Sequence, residues 1–203
     1  MKSYLSFIAK FQGALVIVGL LILMVLPPLI AYTPLGFDQA FQGFWYEVSL
    51  FAAFLVLAVR PLADLLDDFP FVRPLVILRK GMGIVSASVI VSFMLAHIMQ
   101  DGWTYLAHFL EPSAWSLAGY KVLAPLGDLS ALVLLVTSNQ YSKRILGKNW
   151  KRVQKLAYVY FYAGALYEYL LLGNQAALWY ILFVAGITAA AFVVKRLPAP
   201  TYA

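Results

Sequence analysis

The sequence predicts an all-α integral membrane protein, a single six-helix transmembrane bundle over residues 1–203 with both termini cytoplasmic. Three observations predict it. Of 203 residues, 63% are hydrophobic and 12% charged, at a mean hydropathy of +0.83, whereas a soluble domain carries about 25% charged residues. Six stretches approach the roughly 20 apolar residues that cross a hydrocarbon core. All but one of the 15 Lys and Arg residues fall in connections on one side of those stretches. A water-facing globule is excluded, because there is too little polar surface to cover one.

The first span is expected at about 11–32, preceded by Lys2 and Lys10, with Pro27-Pro28 expected to kink or end it. No signal-peptide cleavage pattern follows, so it reads as a retained helix. The second, at about 44–62, is short and borrows Trp45 and Leu62 at its ends. The connection after it holds Asp64, Asp67 and Asp68 beside Arg73, Arg79 and Lys80, and reads as a solvated charged loop. The third span is expected at about 81–100. Asp101–Ala114 follows, and its Trp103, Tyr105 and His108 suit a helix end or short helix at headgroup level.

The fourth span is expected at about 115–136, the fifth at 153–172 and the sixth at 176–194. Between the fourth and fifth lie Lys143, Arg144, Lys148, Lys151, Arg152 and Lys155; Lys195 and Arg196 follow the sixth. Lys121 is the one basic residue on the opposite side. Since cytoplasmic connections collect Lys and Arg, this asymmetry sets the orientation. It also explains the net charge of +6 without nucleic acid.

The absence of cysteine removes disulfides, iron–sulfur clusters and thiolate metal sites. There is no P-loop, no His-Glu-x-x-His and no dinucleotide fingerprint. Flavin binding has no readable motif.

Ionisable residues at membrane depth are costly and are therefore site candidates. Here they are Glu47, His97, Asp128 and Glu168. Glu47 sits where snorkelling is easy. Asp128, after Pro125 and Gly127, needs a hydrogen bond or a polar cavity. His97 lies near the outer end of span three, at a depth matching Tyr167 and Glu168 on span five. Either it pairs with one of them and fixes packing, or it ligates a tetrapyrrole metal, for which imidazole is the usual axial ligand. Ser88, Ser92 and Ala96 recur every four residues, as do Gly83 and Ala87. That spacing allows either close helix approach or a groove for a flat macrocycle.

The stretch from Leu132 to Val159, with Thr137-Ser138 and then Leu146-Gly147-Lys148-x-Trp150, resembles the fourth-to-fifth helix segment of MsrQ-type proteins. These are the haem-binding membrane subunits of the periplasmic methionine sulfoxide reductase system, in the ferric-reductase-like transmembrane group. Arg60-Pro61-Leu62, Leu78-Arg79-Lys80-x-Met82-Gly83 and His97 also fit, and the resemblance covers roughly residues 40–195. It implies a bacterial inner membrane protein. The family's two histidines in the fifth span are replaced by Gln154 and Tyr167. That leaves His97 without its opposed partner, with Met94, Met99 or Tyr167 as weak second ligands.

Three functions follow as expectations. The first is a non-catalytic accessory or scaffold subunit, packed against other membrane subunits and not an enzyme on its own. The second is a b-type cytochrome passing electrons to a periplasmic redox partner. The third is a pigment-binding subunit of a photosynthetic complex, holding a magnesium tetrapyrrole through one His; haem b is the cofactor of the second. Lys143, Arg144, Lys148, Lys151 and Arg152 are the expected docking surface for anionic membrane lipid or a partner's acidic face.

Overall fold

The computed structural model describes residues 2–67 and 69–196; Asp68, assigned to the charged connection above, lies outside them, as do Met1 and residues 197–203. The described chain is helical and turn structure throughout. Five of its helical segments are long and apolar enough to cross a membrane.

Helix α1 (Lys2–Tyr32) continues through Pro27 and Pro28 instead of stopping there. Neither proline has an N–H, so the carbonyls of Leu23 and Met24 lose their usual donor. The helix holds together because this stretch is packed: Leu26, Pro27 and Ile30 are buried. Helix α2 (Gln39–Leu65) starts on an Asp38 side chain that accepts from the Ala40 N–H, a capping contact that satisfies one free donor. A turn segment (Arg73–Leu78) leads into α3 (Arg79–Asp101), the most buried helix. Gly102, at φ +60°, ends it and turns the chain into the short α4 (Trp103–His108).

The fourth long segment differs from expectation. Pro112–Trp115 and Ala118–Tyr120 form 3-10 turns, with Gly119 and Tyr120 both in the left-handed region, at φ +65° and +59°. The regular helix α5 (Leu123–Thr137) therefore begins later than the expected position 115. Helices α6 (Gln140–Leu146) and α7 (Trp150–Val153) form the next connection. A turn at Gln154 and Lys155 then delays α8 (Leu156–Leu171). With 16 residues, α8 rises about 24 Å, less than the roughly 30 Å of a bilayer core. Helix α9 (Gln175–Val194) closes the fold on an Asn174 cap.

Helices α2, α3, α5 and α8 form the centre. One apolar cluster joins Leu50 and Leu57 of α2, Val91 and Met94 of α3, Leu134 of α5 and Phe161 of α8. Helix α1 packs on α3, and α9 on α2 and α8. The α1–α3 seam is where the small-residue stripe is used. Ser88, Ser92 and Ala96 are fully buried, and Ser92 Oγ donates to the Ile22 carbonyl at 3.3 Å. A Cβ on Gly19 would meet Ile84 Cγ2 at 2.8 Å, and one on Gly81 would meet Leu15 Cβ at 2.8 Å. This stripe makes close packing; it does not line a groove.

Serine and tyrosine hydroxyls join α2, α3 and α8. Ser49 Oγ donates to the Ser86 carbonyl at 3.0 Å, and Ser86 Oγ to the Ser49 carbonyl at 2.8 Å. The Tyr160 hydroxyl reaches Ser49 Oγ at 2.6 Å and Ser86 Oγ at 2.8 Å. Interhelical hydrogen bonds of this kind hold helices together where lipid offers no hydrophobic drive. At one end of the bundle Tyr4 donates to the Phe71 carbonyl, and Lys195 Nζ lies 2.6 Å from Asp64 Oδ2. The start of α1 thus meets Phe71, and the end of α9 the end of α2, at that end of the bundle.

Candidate functional site

The ends of α2, α3, α5 and α8, with α4 and the 109–121 segment, surround a chamber of about 630 Å³. Ligand sites usually occupy about 300–1,000 Å³ and are mostly apolar with a few placed polar groups. Tyr46 and Phe93 stack face to face on one wall, 4.6 Å apart and 14° from parallel. Pro125, Gly127 and Asp128 come from α5, and Gly164, Tyr167 and Glu168 from α8. Two glycines keep the interior open. A Cβ at Gly127 or Gly164 would have nothing within 4 Å.

His97 is on the chamber wall, half-exposed, with Nδ1 3.9 Å from Asp101 Oδ2 one turn on. Its ring lies 5.1 Å from that of Tyr105, inclined 19°. The short helix α4 thus stacks Tyr105 on His97 and brings its hydroxyl to Asp128. Tyr105 donates to Asp128 Oδ2 at 3.5 Å. Burial, and after it the nearby Asp128 carboxyl, pushes the Tyr105 phenol above its usual range, so it stays protonated and serves as a donor. His108 also reaches the wall, with Nδ1 3.5 Å from Glu111 Oε2.

Tyr167 and Glu168 share the chamber with His97. Among the described residues, however, no hydrogen bond joins His97 to either of them. The Glu168 carboxylate accepts from Asn174 Nδ2 at 2.7 Å, and the same amide approaches Glu47 Oε1 at 3.3 Å. Asn174 Oδ1 meanwhile caps α9 through the Ala176 N–H at 3.0 Å. Equal depth on two helices did not specify which faces turn toward each other; the α8–α9 turn captured Glu168 first.

No family model matches the chain, and no solved structure matches it.

Thr137, Trp150 and Gln154 meet at the α5–α7 connection. Trp150 Nε1 donates to the Thr137 carbonyl at 3.1 Å, and Gln154 Nε2 to Thr137 Oγ1 at 3.3 Å. Gln154 is thus held at the far end of α5, by a contact that fixes the α5–α7 connection. Lys143, Arg144, Lys148, Lys151 and Arg152 are exposed around it, and Lys143 Nζ sits 5.3 Å over the Trp150 ring.

Tyr46 and Tyr105 were not singled out in the sequence as chamber groups, nor Ser49, Ser86 and Tyr160 as a network. The only signal for Tyr105 was its place in an aromatic-rich outer connection. The serine–tyrosine trio left none, because one residue from each of three helices has no spacing to read.

Proposed function

We propose that this chain is a non-catalytic accessory subunit of a larger complex in a bacterial inner membrane. It crosses six times, α8 being the short fifth span, with both ends in the cytoplasm. The observation that carries this reading is Gln154. At a position where the MsrQ-type pattern has a histidine, its amide is committed to Thr137. The opposed third and fifth spans then offer one imidazole, His97, and the phenol of Tyr167. A haem held between paired imidazoles on those two helices does not fit that donor set.

The outward faces of α1 and α9 support an accessory role among other subunits and lipid. Ile17, Leu20 and Met24 on α1, and Trp179, Leu182 and Phe192 on α9, are all exposed. Large contiguous apolar surface of this kind marks membrane or protein contact.

A second reading is favoured by His97 itself. It lines a chamber of ligand size and has a carboxylate beside its other nitrogen, the orienting arrangement common for metal-bound histidines. In this reading haem b or a magnesium tetrapyrrole is held through one axial imidazole.

Purification in mild detergent, with a pyridine haemochrome assay and a visible to near-infrared spectrum, separates the readings. The accessory reading expects co-purifying membrane subunits and no stoichiometric tetrapyrrole. About one haem or pigment per chain, lost in His97→Ala, would replace it with the second.

A further inference from the structure

Asp128 is the one chamber carboxylate left almost without partners. Among the described residues its only hydrogen bond is the long contact from Tyr105, and no Lys, Arg or His lies within ion-pair distance. Glu168 differs, its carboxyl accepting a hydrogen bond from Asn174. Lys121 belongs to the chamber's rim and is exposed. A carboxylate in apolar surroundings is costly unless a cation or several donors reach it. The walls around it are rich in aromatic rings, which attract cations through their faces. The interior has room, since Gly127 and Gly164 leave open space on two sides.

We propose that this chamber binds an amphipathic organic cation, a protonated or quaternary amine on a bulky apolar body. Asp128 is its counter-ion, and Tyr46, Phe93, Tyr105 and Tyr167 surround the charge. Tyr105 hydrogen-bonds Asp128 and so positions it. The apolar body fills the space beside Gly127 and Gly164. This assignment is independent of the accessory-subunit reading, since it concerns the chamber's contents and not the chain's partners.

The test uses the full chain in mild detergent with two probes of the same shape and opposite charge, tetraphenylphosphonium and tetraphenylborate. Equilibrium dialysis should show saturable binding of about one tetraphenylphosphonium per chain and no saturable tetraphenylborate. Asp128→Asn should weaken the cation at least tenfold, while Asp128→Glu retains it. Gly164→Leu, whose side chain enters open space, should abolish binding with the thermal transition kept. Should Asp128→Asn fail to fold, the comparison of the two probes on the unaltered chain and the Gly164→Leu result decide. Equal binding of both probes, unchanged cation binding in a folded Asp128→Asn, or non-saturable uptake of the cation would each overturn the proposal.

Discussion

Gln154 and Thr137 are joined by a side-chain hydrogen bond of 3.3 Å across 17 residues of sequence. The same threonine's carbonyl takes the Trp150 indole N–H. One residue at the end of α5 therefore anchors both ends of α7.

If that anchor is energetic as well as geometric, its members should couple. Gln154→Ala and Thr137→Val are each expected to cost about 0.5–1.5 kcal/mol. Their double mutant should lose clearly less than the sum, as measured by unfolding in a double-mutant cycle. Strict additivity would mean the contact contributes nothing.

Much of the fold was legible, and the reasons differ by element. The last helix is expected at 176–194 and observed as Gln175–Val194 because its apolar run is unbroken; the Asn174 cap emerges only in the structure. The start of α5 was not legible. Apolar residues run on from Trp115, and only the left-handed backbone at Gly119 and Tyr120 breaks the helix. For α8 the expected start at 153 took in the polar Gln154 and Lys155, which form the turn before the helix. At the site, His97, Asp128, Tyr167 and Glu168 were visible as costly or polar groups at depth. Their pairing was not, because depth fixes height and leaves rotation about each helix axis open.

Removing the Tyr160 hydroxyl should be tolerated. Ser49 and Ser86 keep their reciprocal bonds to each other's carbonyl when the phenol is lost. Tyr160→Phe is expected to cost about 0.5–1 kcal/mol, in the range of interhelical hydrogen bonds in membranes. Ser86→Val removes the donor to the buried Ser49 carbonyl and one of the phenol's partners together, and should cost more. A thermal melt in detergent that ranks them the other way would contradict the network.

The α1–α3 seam should resist enlargement. Gly81→Val would bring Cβ to 2.8 Å from Leu15 Cβ and 3.1 Å from the Gln12 carbonyl oxygen. A loss of about 1–3 kcal/mol is expected from overpacking. Gly13→Ala, with nothing within 4 Å of its Cβ, should be neutral or slightly stabilising in the same assay.

Asn174 should matter more than either carboxylate beside it. Asn174→Ala removes the α9 cap and the Glu168 partner together, at an expected cost of about 1–3 kcal/mol. By contrast His97→Ala and Glu168→Gln, which share no bond, should add to within about 0.5 kcal/mol. Strong coupling between those two would show that they meet in the folded protein.

Reporter fusions test the six-span orientation. Fusions after Lys148 and at the C-terminus should report cytoplasm, and one near Glu111 the outside, following the basic-residue asymmetry. A periplasmic signal from the C-terminal fusion would mean the chain crosses an odd number of times.

The contact between Lys195 and Asp64 spans 131 residues, and Tyr180 of α9 stacks on Phe54 of α2 at 4.7 Å. The face of α2 that receives α9 is therefore made well before the helix that covers it. At about 5–20 residues per second the wait is on the order of ten seconds. Throughout that interval the nascent bundle exposes an aromatic flank at membrane depth, available to insertion machinery or to a subunit that arrives before α9 does.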